Sequence, residues 1–318
     1  MNSKQSSILT IMLFAAVAVF AGETSPGGGQ SYPGRVKYEK VIGGLQFPEG
    51  PAWDGQKGVL YFSDCYGGAI YRVGFEKVHI FVSATSEPFN FEKTNGLAVS
   101  PDGDLYACEF SIGAILRIRP DGKCEVHCAG YQGKKFNRPN DLTFDQAGNL
   151  YFSDPHKYTK KYPNGIVYRI DKKTREATPV AEGLGFPNGL VFSPDGKVLY
   201  VAESSFQRVL KFTVKPDGSL SERSVFIELP GGDPDGMDVD RQGNLYVAHF
   251  GGGAIHVFSP EGKAVDILKT PGKKPSNIEF AGPDLRTLYV TEDETKAVYR
   301  TKVETPGLRR TFTPEQKP

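Results

Sequence analysis

Six oxygen-bearing side chains recur along this 318-residue chain at one place in a repeated block. They are Glu49, Asn95, Asn140, Asn188, Asp235 and Asn277. The clearest copy of the block runs Phe186-Pro187-Asn188-Gly189-Leu190-Val191-Phe192-Ser193-Pro194-Asp195-Gly196-Lys197-Val198-Leu199-Tyr200-Val201-Ala202-Glu203. Two carboxylates and four carboxamides, with no thiolate or imidazole, form a hard-oxygen set of the kind that holds Ca2+ or Mg2+. Two negative charges balance a divalent ion, and water or substrate would complete the shell, leaving the open position that Lewis-acid catalysis requires. Asn before Gly also makes turns for purely local reasons, and Asn95-Gly96 and Asn188-Gly189 satisfy that simpler explanation. Glu49-Gly50 does not, because Glu has no special turn chemistry. Glu49 and Asp235 therefore carry the functional reading.

The elements that must position these residues follow from the spacing. Successive opening residues are about 46, 45, 48, 47 and 42 positions apart, the period of a four-stranded propeller blade. Each copy reads as a short strand, a turn and a second strand. A third strand such as Ala69-Ile70-Tyr71-Arg72-Val73 and a fourth such as Val78-His79-Ile80-Phe81-Val82 come after. Six copies predict an all-β, six-bladed β-propeller of antiparallel blades over residues 35–305; five or seven blades do not fit. The sixth copy has no fourth strand of its own after Val298-Tyr299-Arg300. The stretch from Val41 to Gly50 matches that from Val180 to Gly189, where a fourth strand leads into the next blade. The N-terminal strand, Val36 to Ile42, is therefore expected to pair into the last blade and close the ring, which removes the open edges. In such a ring the first strand of each blade lines the channel, so the six recurring residues gather at one mouth.

Composition supports this reading and excludes others. Net charge is +1 with charged residues at 24%, which carries no electrostatic signature of nucleic-acid binding. Aromatics at 12%, with 37 Gly and 23 Pro, suit many short strands and tight turns. Residues 1–21 read as a signal peptide: Lys4, then an apolar run from Ile8 to Phe20, with Val19-Phe20-Ala21 as the cleavage site. That run is short for a membrane-spanning helix, so the expectation is a secreted or periplasmic protein with no membrane attachment after cleavage. Residues 22–34 form a Gly- and Pro-rich tether, and 306–318 a C-terminal tail.

Cys65, Cys108, Cys124 and Cys128 can oxidise in an exported chain, and free buried thiols or one disulfide both remain open. A second recurring position ends the second strands: Asp64, Glu109, Asp154, Glu203, His249 and Glu292. Hydrogen-bonded caps explain it at least as well as catalysis does. His249 is its odd member, and as a neutral imidazole it could also shuttle protons. Gly-x-Ser-x-Gly elbows, phosphate-binding Gly-Lys-Ser/Thr loops and Cys-x-x-Cys pairs do not occur.

Four blocks carry a family resemblance: Phe47-Pro48-Glu49-Gly50-Pro51-Ala52-Trp53, Arg138-Pro139-Asn140-Asp141-Leu142, Phe186-Pro187-Asn188-Gly189-Leu190 and Pro234-Asp235-Gly236-Met237. They resemble the gluconolactonase and senescence-marker-protein (regucalcin) family over roughly residues 40–300, with paraoxonases as more distant relatives. The resemblance implies a divalent cation in the channel, Ca2+ first with Mg2+ or Zn2+ as alternatives, and hydrolysis of a small-molecule lactone. Glu49, Asn188 and Asp235 match the family's metal ligands, Asn140 a residue that contacts metal or substrate, and Asp235 also its general base. Arg138 matches an arginine that contacts substrate hydroxyls, and Asn95 edges the same pocket. Ser153-Asp154-Pro155 fits the family's pattern, but His156-Lys157-Tyr158 departs from the Pro-Tyr-Gly expected after it. Two rivals stand beside this reading: a non-catalytic propeller that binds a sugar or cell-wall ligand around a structural ion, and a paraoxonase-like esterase.

Overall fold

Second strands, each with an apolar run such as Leu150-Tyr151-Phe152, are largely buried in the computed structural model. Leu150–Asp154 is buried at every residue, whereas the fourth strand Val78–Ser83 buries only Val82 and exposes His79 and Ile80. The model describes residues 36–74, 77–84 and 91–309. The expected signal peptide, the tether and the tail from residue 310 lie outside these residues.

Six four-stranded antiparallel sheets form six blades. Their inner strands are Pro48–Asp54, Thr94–Val99, Leu142–Phe144, Pro187–Phe192, Asp233–Val239 and Pro275–Ala281. The inner and second strands meet at turns such as Pro194-Asp195-Gly196. There the Gly196 amide donates to the Ser193 carbonyl at 2.9 Å, and Gly196 has a φ of +69°, a left-handed conformation that favours glycine.

The core divides between blades rather than within them. Six apolar clusters each join residues of two neighbouring blades, and one of them joins the last blade to the first through Tyr289 and Val298 against Leu60, Phe62 and Val73. The expected closure holds: Glu39–Gly43 is the outer strand of blade six, pairing antiparallel with Ala297–Lys302. Glu39 accepts two hydrogen bonds from the Arg300 guanidinium at 2.7 and 3.0 Å. Past the last strand, the Leu308 amide donates to the Val239 carbonyl at 3.0 Å and that of Gly307 to Leu285 at 2.8 Å, so this segment lies across blades five and six. Among the described residues, no helix is long and apolar enough to cross a membrane.

Candidate active site at the channel mouth

A recurring irregularity in the inner strands sets the recurring oxygen side chains in place. Pro48, Thr94, Pro187, Pro234 and Pro275 pair in register with Asp64, Glu109, Glu203, His249 and Glu292. Just beyond that pair the register slips in blades two, four, five and six, and in blade one it slips one residue later, between Glu49 and Ala52. A bulge of this kind bends the strand and re-aims the unpaired residue. In blade three the regular strand starts only at Leu142, and the Asn140 amide on the Ser153 carbonyl at 2.9 Å holds the equivalent place. The mouth residues are thus Glu49, Asn95, Asn140, Asn188 and Asp235.

Blade six corrects the expectation. Pro275 takes the place of Pro187 and Pro234, so Ser276, not Asn277, occupies the mouth position. The Ser276 hydroxyl donates to the Pro48 carbonyl of blade one at 2.8 Å. Counting from the second strand misplaces this residue by one, because the turn from Phe280 to its partner Leu288 is one residue longer than that from Phe192 to Leu199 in blade four. Asn277 falls one step deeper, where other blades have Gly50, Gly96, Gly189 and Gly236, and where blade three has Asp141. A Cβ on Gly96 would strike Asp141, and one on Gly236 would strike Asn277. Gly96 and Gly236 thus leave room that the side chains of blades three and six fill, while Gly50 and Gly189 let the neighbouring blade's backbone approach closely. The Asn277 carboxamide donates to Glu49 and to Asp141, each at 3.4 Å. Asp141 is therefore a third carboxylate of this cluster, and sequence reasoning passed over it. Its signal was an aspartate where four other copies have glycine.

Glu49, Asp141 and Asp235 are buried, at 5%, 8% and 8% exposure. Burial is the main cause that lifts the Glu49 carboxyl from its ordinary 4.5 to about 8. The Gly50 amide at 3.0 Å pulls the other way, and the charges of Asp141 and Asp293 add to the rise. Burial, followed by Glu49, Asp141 and Asp233, holds Asp235 well above the usual carboxylate range, with a hydrogen bond from Asn188 opposing. Among the described residues, the leading charges acting on Glu49 and Asp235 are thus other carboxylates. Such a cradle fits a cation. Among the described residues no three His, Cys, Asp or Glu side chains converge tightly enough to ligate one by themselves. A cation here would instead be held by the carboxylates of Glu49 and Asp235 with the amide oxygens of Asn140 and Asn188.

The second recurring position is structural. Asp64 accepts the Phe47 amide at 2.8 Å, Glu109 that of Lys93 at 2.7 Å, Asp154 that of Arg138 at 2.6 Å and Glu292 that of Lys274 at 2.8 Å. These caps hold the connectors that enter the inner strands. His249 is buried at the same register, its ring edge-on to His256 at 5.0 Å, and burial lowers its pKa. His156 lies beside the Asp154 cap; burial raises Asp154, and the neighbouring amides and His156 partly offset that. Arg138 is exposed at the rim, over the Phe110 ring at 5.4 Å.

All four cysteines are free thiols. Cys124 and Cys128 share one strand and lie about 13 Å apart along it, beyond disulfide reach. At the far end of the inner strands a cavity of about 460 Å3 is lined by Trp53, Leu97, Asp238, Glu279 and Leu308, and includes none of the mouth residues.

Comparison with known proteins places this geometry. The family model described as SMP-30/Gluconolactonase/LRE-like region matches residues 47–293. A gluconolactonase from Zymomonas mobilis is 31% identical over 281 residues, covering 80% of this chain and 78% of that protein. Pentonolactonase XacC from Haloferax volcanii is 29% identical over 246 residues, with 76% and 80% covered. A solved gluconolactonase structure from Xanthomonas campestris superposes with a TM-score of 0.75 at 29% identity, over 85% of this chain and 90% of that one. The match spans every inner strand that carries a mouth residue, and the chain belongs to the SMP-30/gluconolactonase/LRE-like family.

Proposed function

We propose that this protein is an exported, divalent-cation-dependent lactonase acting on a sugar lactone. The carrying observation is the burial of Glu49 and Asp235 beside Asp141 at one mouth, where the leading charges acting on Glu49 and Asp235 are other carboxylates and Asn188 hydrogen-bonds Asp235. The relatives named gluconolactonase and pentonolactonase support the substrate class. A cation held by Glu49, Asn140, Asn188 and Asp235 would supply Lewis-acid polarisation of the lactone carbonyl. The oxygen-only donor set favours a hard cation, Ca2+ or Mg2+, over Zn2+.

The chain's own residues do the rest. Asp235 takes a proton from the attacking water as its oxygen bonds to the carbonyl carbon. The bond from that carbon to the ring oxygen then breaks, and the proton passes to the departing ring oxygen, leaving an open-chain hydroxy acid. Asn277 and Asp141, packed beneath the mouth, close the channel floor and orient Glu49 through the Asn277 carboxamide. Arg138 and Asn95 at the rim orient the substrate.

A panel of sugar and aliphatic lactones, assayed with and without chelator, tests this reading. Chelator-sensitive ring opening of a sugar lactone is expected; hydrolysis of none would refute it and favour a binding propeller. Export rests on the leader at residues 1–21, and N-terminal sequencing of the mature protein should begin at Gly22.

A further inference from the structure

Two residues before each mouth residue, the connectors place a second ring: Phe47, Lys93, Arg138, Phe186, Asp233 and Lys274. Two strand residues span about 6.6 Å, the scale of a monosaccharide ring, so this outer ring meets whatever extends from a substrate held at the mouth. Its chemistry is uneven. Phe47 and Phe186 sit on opposite blades, while Lys93 and Arg138 sit on adjacent ones.

Both of those cations are fixed at their backbone, Lys93 by Glu109 at 2.7 Å and Arg138 by Asp154 at 2.6 Å. Both head groups lie over the same ring, Phe110, at 6.0 and 5.4 Å, and Lys93 also lies 5.5 Å from the Tyr66 ring. Among the described residues neither enters an ion pair. Other charges on this face are engaged: Lys296 with Asp293 at 2.6 Å, Arg208 with Glu203 at 2.6 Å, and Asp233 with the Tyr158 hydroxyl at 2.8 Å. Two like charges gathered over one aromatic ring repel each other, and an anion between them removes that repulsion while accepting charge-assisted hydrogen bonds.

We propose that the site selects lactones carrying a negatively charged substituent, a carboxylate or a phosphate, held between Lys93 and Arg138 above Phe110. This inference rests on the lactonase reading and narrows its substrate class. Lys93 is a specificity residue in this scheme: it touches the substituent, not the reacting carbonyl.

The test compares glucono-1,5-lactone with its counterpart oxidised at C6 to a carboxylate and its counterpart phosphorylated at O6. Either charged lactone should exceed the neutral one in kcat/KM by about tenfold, through KM, with the advantage shrinking as ionic strength rises. The two charged arms show which anion is preferred. Lys93→Gln and Arg138→Gln should each reduce the charged-to-neutral ratio by about tenfold. Lys274→Gln, the same ring position on blade six, should move it by less than about threefold. A neutral lactone turned over as well as both charged ones, or a ratio that Lys93→Gln leaves unmoved or Lys274→Gln lowers equally, would overturn the proposal. Should no lactone turn over, the lactonase reading fails, and calorimetric binding decides this one separately. Tighter binding of open-chain glucarate than of gluconate, lost in Lys93→Gln, would support it, and equal affinities would refute it.

Discussion

Replacing Glu49 with Gln should stabilise the cation-free protein while destroying the site. In the folded chain burial lifts the Glu49 carboxyl to about 8 from an ordinary 4.5, with Asp141 and Asp293 adding to the rise and Asp235 coupled to the same cluster. A raised folded pKa means that the folded state holds the proton more tightly than the unfolded one. The contribution to stability is therefore fully present below pH 4.5 and is lost as pH rises through about 8. At about 1.4 kcal/mol per pH unit, this window corresponds to roughly 5 kcal/mol for ionising Glu49 without a cation. Gln keeps an oxygen for the Gly50 amide and the Asn277 carboxamide but carries no charge. With chelator, wild type and Glu49→Gln should have similar Tm at pH 4, and the variant should melt higher by on the order of 10 °C at pH 9. Adding Ca2+ at pH 9 should raise the wild-type Tm and leave that of the variant nearly unmoved. Thermal unfolding across pH 4–9, with chelator or Ca2+, measures all of this. A constant Tm difference between the two proteins from pH 4 to 9 in chelator would refute the reasoning, because Glu49 would then ionise without cost in the fold.

Three further outcomes follow from particular contacts. Asp235→Ala should lower turnover of a hydrolysed lactone by about 100-fold or more, read from kcat with Ca2+ occupancy checked by calorimetry; near-normal kcat with the ion bound would remove Asp235 from the mechanism. Gly236→Ala places a methyl group against Asn277 and should cost about 1–3 kcal/mol in urea unfolding while weakening Ca2+ binding through the displaced carboxamide. Phe62→Ala removes a fully buried ring from the junction of blades six and one and should cost about 3–5 kcal/mol. Its effect on lactone KM should be small, because the Phe62 ring packs in the apolar cluster between two blades.

How much was readable beforehand depended on whether a feature repeats. The inner, second and third strands recur in every copy, so their ranges match the expected ones closely: Ala69–Val73 and Ala254–Phe258 fall where the alternation put them. The N-terminal strand, expected at Val36 to Ile42, forms at Glu39–Gly43. Pairing with Ala297–Lys302 decides those limits, and a bulge between Lys40 and Ile42 shifts them. The caps at Asp64, Glu109, Asp154, Glu203 and Glu292 could be suspected, but the connector amides that they bind come from the loop before each inner strand, which no spacing rule reveals.

Blade six marks the limit of counting. There the repeat kept its strands and its bulge but lengthened the turn to the second strand by one residue, and only the pairing of Pro275 with Glu292 distinguishes Ser276 at the mouth from Asn277 beneath it. By itself the sequence determined the blade number, the ring closure and the oxygen-rich character of one mouth, because these follow from period and alternation, which are local and repeat. Tertiary structure alone decided that Asp141 and Asn277 fill the space left by Gly96 and Gly236, and that Lys93 and Arg138 converge on Phe110. Those contacts join different blades, and side chains about 45 residues apart meet only once the ring has closed.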